Sequence, residues 1–279
     1  MYSLMGVGTL FGWKKTSPDA LRRAFIAPLS FAGVVAVLHL TLGGRFGYPA
    51  ILFGEAIYGG AIGQGLRGVN AVLPLVGVTL SAFNAAVIVQ EFVMLFRARA
   101  KTGARKTPVI LYLLGGLPGF LHAILTLPPS SRRRYGGYIV HFGIVVMFLG
   151  FTGKSWNVDK ETVLTPGQTF VVDHYELEYV GPRMEVDQSA RMVFADVRVK
   201  KDGRPMGVMS PAKFIYKKMP ESPTTEVAML HSIRDDLYVV VGTINPQSKL
   251  ASLQVHINPL VGWIWFGCLV PVSYTHLRA

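Results

Sequence analysis

Apolar positions along this chain fall into long blocks, and block length predicts the elements. A membrane-spanning helix needs roughly 20 mainly apolar residues at about 1.5 Å of rise each. Residues 24–42 (AFIAPLSFAGVVAVLHLTL) hold no charge, and residues 72–96 (VLPLVGVTLSAFNAAVIVQEFVMLF) hold one, Glu91. Residues 136–151 (GGYIVHFGIVVMFLGF) form a shorter block. Each predicts a transmembrane helix. Residues 1–12 read as the end of a preceding helix. Residues 257–270 read as a truncated last helix, because the apolar run 259–270 is too short to span. The polar residues 271–279 (PVSYTHLRA) read as a non-native tail. Residues 108–127 are apolar enough to span, but Gly115, Gly116, Pro118 and Gly119 weaken a helix interior, so an interfacial or re-entrant segment is expected.

Residues 153–256 follow a different period. FVVDHYELEYV (170–180), RMVFADVRVK (191–200) and DLYVVVG (236–242) alternate as strands do, while KDGRP (201–205) and VGPRM (180–184) signal turns. The expected fold class is an α-helical polytopic membrane protein with a small, mostly-β extracytoplasmic domain inserted before the last helix. The expected domains are 1–152 with the helices, 153–256 with the strands, and 257–270 with the last helix.

Charge fixes an orientation. The net charge is +12. Residues 153–256 carry thirteen basic and thirteen acidic residues and are neutral. The excess lies beside the apolar blocks, at Lys14, Lys15, Arg22 and Arg23, and in eight basic residues between 97 and 134. This is the positive-inside pattern and not a nucleic-acid footprint; the partner it implies is a lipid membrane. With the basic clusters cytoplasmic, the β domain is expected on the outer side of the membrane. Cys268 is the single cysteine, which excludes an intrachain disulfide, a CxxC pair and CxxCH haem attachment within this chain.

Ionisable residues within membrane helices are costly and therefore candidates for function. They are His39, Glu91 and His141. His141 lies seven residues past Arg134, roughly 10 Å along a helix. Three roles are open to it: a haem or metal ligand, a hydrogen-bonded packing residue, or a proton relay. His39 and Glu91 lie near helix ends, where snorkelling or pairing suffices. His122 reads as an interfacial anchor, and His256 as an interfacial residue near Trp263 and Trp265. His174 and His231 read as surface residues. Asp235 and Asp236 read as turn or capping residues. No Walker motif, nucleophile elbow or HExxH is present.

RRRYGGYIVHFGIVVMFLGFTG, PGQTF, TTEVAM, DDLYVVVG and VHINPLVGWIWFGCLV follow in this order, after GVGTLFGWKKTS. Together they resemble the C-terminal part of the cytochrome c maturation haem lyase family, CcmF type. The resemblance implies a polytopic protein that holds haem b in the membrane between histidines of two helices. It also implies partners: a haem chaperone, apocytochrome c and other maturation subunits. The family helps join haem vinyl groups to CxxCH thiols, and its internal haem b helps keep incoming iron reduced. The histidine after RRRYGGYIV matches the second intramembrane ligand, so the resemblance makes His141 a haem iron axial ligand. The first ligand and a tryptophan-rich loop flanked by two histidines have no counterpart here, and His39 is not assigned to fill that place. No catalytic residue is assigned. The expected function is part of a membrane haem lyase; the alternatives are a transporter using Glu91 and His141, or a cofactor-free assembly scaffold.

Overall fold

The computed structural model describes residues 18–52, 60–102, 129–245 and 247–276. Residues 1–12 and 108–127, with His122, fall outside them. The chain divides into two compact units, Met1–Ser155 with Trp263–Ala279, and Trp156–Gly262.

The helical unit contains α1 (Pro18–Leu42), α2 (Gly60–Thr102), α3 (Pro129–Thr152) and most of α4 (Val261–His276). Among the described residues three stretches are long and apolar enough to cross a membrane: Ala24–Phe46, Arg67–Ala98 and Arg133–Trp156. Both α2 and α3 outrun their apolar blocks. An apolar block marks the turns that can meet lipid, whereas the backbone ladder continues into polar sequence. Helix α3 starts at Pro129, a residue suited to a first turn because its missing N–H would have no partner there. Arg132, Arg133 and Arg134, which precede the apolar block, therefore lie on the helix.

Helix α2 packs on both neighbours. Phe83 and Val87 meet Ala32 of α1, and Phe83 stacks on Phe25 at 6.2 Å between centroids. The other side, Ile88, Phe92, Leu95 and Phe96, packs on Tyr135, Tyr138 and Val145 of α3. The pair is antiparallel: Glu91 bonds Tyr138, while a Cβ built on Gly77 would fall 2.4 Å from the Thr152 hydroxyl. Helices α3 and α4 meet backbone to backbone. A Cβ on Gly143 would lie 2.7 Å from the Gly267 carbonyl oxygen, and one on Gly267 equally close to that of Gly143. Only glycine leaves room for such an approach.

The second unit has two antiparallel sheets, β1-β10-β9-β8 and β2-β3-β4-β6-β7, with β5 paired to β4. The strands are β1 (Val158–Leu164), β2 (Thr169–Val172), β3 (Tyr175–Val186), β4 (Ala190–Lys201), β5 (Arg204–Met209), β6 (Ala212–Tyr216), β7 (Thr224–Glu226), β8 (Ala228–Leu230), β9 (Asp235–Ile244) and β10 (Ala251–Pro259). Alternate residues fill the core: Tyr175, Leu177 and Tyr179 from β3, Val197 and Val199 from β4, and Leu237, Val239, Val241, Leu253, Val255 and Ile257 from β9 and β10.

Two expectations are corrected. Residues 170–180 are a hairpin and not one strand. The chain reverses at Asp173–His174, with Asp173 at φ 52° and Val172 paired to Tyr175. VGPRM is no turn: it lies within β3, where the register shifts between Tyr179 and Gly181 and Gly181 takes φ 146°. The glycine absorbs a bulge, and the strand runs on. KDGRP does turn, with Asp202 and Gly203 both at positive φ between paired Lys201 and Arg204.

Candidate functional site

His141 sits on α3 among apolar residues, half-buried. Its Nδ1 lies 2.7 Å from the carbonyl oxygen of Gly137, one turn earlier. That acceptor requires the proton on Nδ1, which leaves the Nε2 lone pair uncommitted among the described residues. A ligating histidine characteristically donates its other ring nitrogen in this way, fixing tautomer and ring direction. A Cβ built on Gly137 meets nothing within 4 Å among the described residues, which leave the helix flank beside the imidazole open. Gly143, which meets α4, lies about 160° round the axis at 3.6 residues per turn. His141 thus projects away from α4. With these features His141 could hold a haem iron through Nε2.

Nearer the N-terminus of α3 lies a polar cluster in which Glu91 and Tyr138 are buried and the Arg134 side chain is exposed. Glu91 of α2 is 6% exposed and accepts hydrogen bonds from Arg134 Nη2 at 2.6 Å and from the Tyr138 hydroxyl at 3.1 Å. Arg134 Nε also donates to the Tyr138 oxygen at 3.0 Å. The expected pairing of Glu91 exists, but its partner comes from the neighbouring helix and not from nearby Arg97. His39 bonds the Tyr48 carbonyl through Nε2 at 3.0 Å, tying the end of α1 to the following turn.

The β domain holds a second titratable cluster. Asp235 is 2% exposed. It accepts from Lys201 Nζ at 2.7 Å and the Tyr175 hydroxyl at 2.8 Å, and His174 Nε2 lies 2.9 Å away. Burial pushes the Asp235 carboxyl up, but these hydrogen bonds and the Lys201 charge outweigh it and hold it below its ordinary 3.8. Burial, then the Asp235 hydrogen bond, pushes the Tyr175 phenol far up. Two sequence readings are thereby corrected. The His174 side chain is only 10% exposed, wedged between Asp173 and Asp235, and Asp235 and Asp236 are core residues. The hairpin tip that buries His174 was hidden by reading one strand where there are two. His231 is exposed and pairs with Asp236, and His256 pairs with Asp159 at 2.7 Å. Among the described residues no three His, Cys, Asp or Glu side chains converge as a metal centre.

Residues 155–259 match the family model of the CcmF C-terminal β-sandwich. The chain carries a β domain of that family. It is 31% identical over 145 residues to the cytochrome c-type biogenesis protein CcmF of Pseudomonas fluorescens, covering 52% of this chain and 22% of that one. It is 26% identical over 204 residues to the cytochrome c-type biogenesis protein CycK of Bradyrhizobium diazoefficiens, covering 72% and 28%. A solved structure titled cytochrome c heme lyase CcmF superposes with a TM-score of 0.62 at 20% identity, over 98% of this chain and 37% of that chain. That likeness concerns the fold. The matches to CcmF and CycK span about a quarter of those relatives' length.

Proposed function

We propose that this chain is part of a membrane haem lyase for cytochrome c maturation, in which His141 Nε2 is an axial ligand to haem b. The observation that carries the reading is the bond of His141 Nδ1 to the Gly137 carbonyl, on an apolar helix with an open flank. When bound, haem b supplies a one-electron iron centre able to keep incoming haem iron reduced. The chain's own residues do the rest. Gly137 fixes the tautomer, α3 holds the imidazole at membrane depth, and Arg134 with Glu91 fastens α3 to α2. The positive-inside pattern supports a bacterial inner membrane with the β domain on the periplasmic side, where a haem chaperone and apocytochrome c bearing CxxCH would meet it. The transporter reading has less support, because Glu91 is engaged by Arg134 and Tyr138.

Absorption spectra of the full-length membrane protein test the assignment. His141→Ala is expected to abolish the b-type Soret and α bands while leaving the protein folded. An unchanged spectrum would remove His141 from the site.

A further inference from the structure

Glu91 is a buried acid of α2 that faces α3. Its carboxylate joins two residues of α3, Arg134 and Tyr138, which lie seven and three residues before His141. At 3.6 residues per turn, Arg134 and His141 fall within about 20° of each other round the helix axis, and Tyr138 about 60° away. The clamp and the imidazole therefore share one flank of α3. The cluster is rigid for a physical reason. Tyr138 and Tyr135 are almost fully buried against Phe92, with ring centroids 6.3 and 5.5 Å from it. The Arg134 guanidinium lies 5.7 Å from the Tyr138 ring centre. A rotation of α3 would break two hydrogen bonds to Glu91 together and would swing His141 with it.

We infer that Glu91 is a positioning residue for His141: through Arg134 and Tyr138 it sets the rotation of α3 and hence the direction in which the imidazole presents Nε2. The inference rests on the reading of His141 as a haem ligand. It predicts that Glu91 governs the quality of ligation without touching the ligand. A neutral acceptor in the same place, Glu91→Gln, retains most of the effect, because a side-chain oxygen can still receive both donors.

The test uses the whole chain in lipid nanodiscs, with hemin as the probe. Wild type, Glu91→Ala, Glu91→Gln, Ile88→Ala and His141→Ala are titrated, and electron paramagnetic resonance of the ferric state is recorded. Glu91→Ala is expected to weaken hemin binding by about tenfold, the scale of an outer-shell substitution, and to shift the ferric g-values. Glu91→Gln is expected to restore both. Ile88→Ala loosens the same helix pair and should leave the g-values in place. Equal shifts in Ile88→Ala and Glu91→Ala would reduce Glu91 to a packing residue and overturn the inference, as would unchanged binding in Glu91→Ala. A spectrum that survives His141→Ala defeats the ligand reading instead, so the two failures are distinguishable. A haem-free measurement covers the case of weak binding. Spin labels at His141→Cys and, separately, Phe148→Cys, in a Cys268→Ser background, report lipid and water accessibility. Glu91→Ala should alter the label at 141 and spare the one at 148. No change at 141 overturns the inference.

Discussion

At Asp235 burial and hydrogen bonding pull the carboxyl in opposite directions, and the hydrogen bonds win. Its pKa in the folded state lies below the ordinary 3.8, so its contribution to stability is present above that pH and is lost as the pH falls through the folded value. Acid unfolding of the β domain, followed by near-ultraviolet circular dichroism, should therefore show a component below pH 3.8 that Asp235→Asn removes. At neutral pH that substitution should cost about 3 kcal/mol, because it leaves Lys201 without its partner carboxylate. Tyr179 presents the opposite case. It is 0% exposed, its hydroxyl has no hydrogen-bond partner among the described residues, and burial, then Asp196, pushes it up to about 12. Stability from the neutral phenol is complete below about pH 10 and lost as the pH rises through about 12. Tyr179→Phe should be neutral or stabilising by up to about 1 kcal/mol at pH 7, since no bond is broken, and should blunt the alkaline loss. Chemical denaturation at pH 7 and pH 11 checks both.

Among the elements, the glycine contact between α3 and α4 gives the sharpest expectation. Gly143→Leu should force the backbones apart and lower stability by about 1–3 kcal/mol, read as a lower melting temperature in detergent, while Gly137→Ala meets open space and should shift it far less. The helices were legible because their apolar blocks are long, and β3, β4 and β9 because their alternation is regular. Glu91, His39 and His141 were legible as candidates because a lone ionisable residue in an apolar block stands out. Their partners were not. Arg134 lies forty-three residues from Glu91, and no local pattern reveals which helix faces which. His174 was missed for a related reason: the polar pair Asp173–His174 interrupts the alternation for only two residues, and the positive φ of Asp173 that makes the turn leaves no further mark in the sequence. Gly181 misled in the other direction, because a glycine before proline signals a turn equally well when it absorbs a bulge.

At the scale of the whole molecule, charge placement said more than composition. A net charge of +12 divides into basic flanks beside apolar helices and a neutral β domain, which is why the membrane reading displaced the nucleic-acid one. The β domain also returns its chain to the starting point. Val158 at the head of β1 pairs with Ile257 near the tail of β10, and Asn157 donates to Asn258 at 2.6 Å. Residues 158–257 thus behave, for the helices they interrupt, as a short linker would. The entropy of closing a hundred-residue loop is borne by the sandwich when it folds, and not by α3 and α4 when they pair. Replacing 158–257 with a few glycine and serine residues should accordingly leave the α3–α4 contact intact, which disulfide cross-linking of a Met147→Cys variant to the native Cys268 can read, since Met147 Sδ and Cys268 Sγ lie 3.7 Å apart. A domain with paired ends can be gained, lost or exchanged without redesign of the membrane helices on either side.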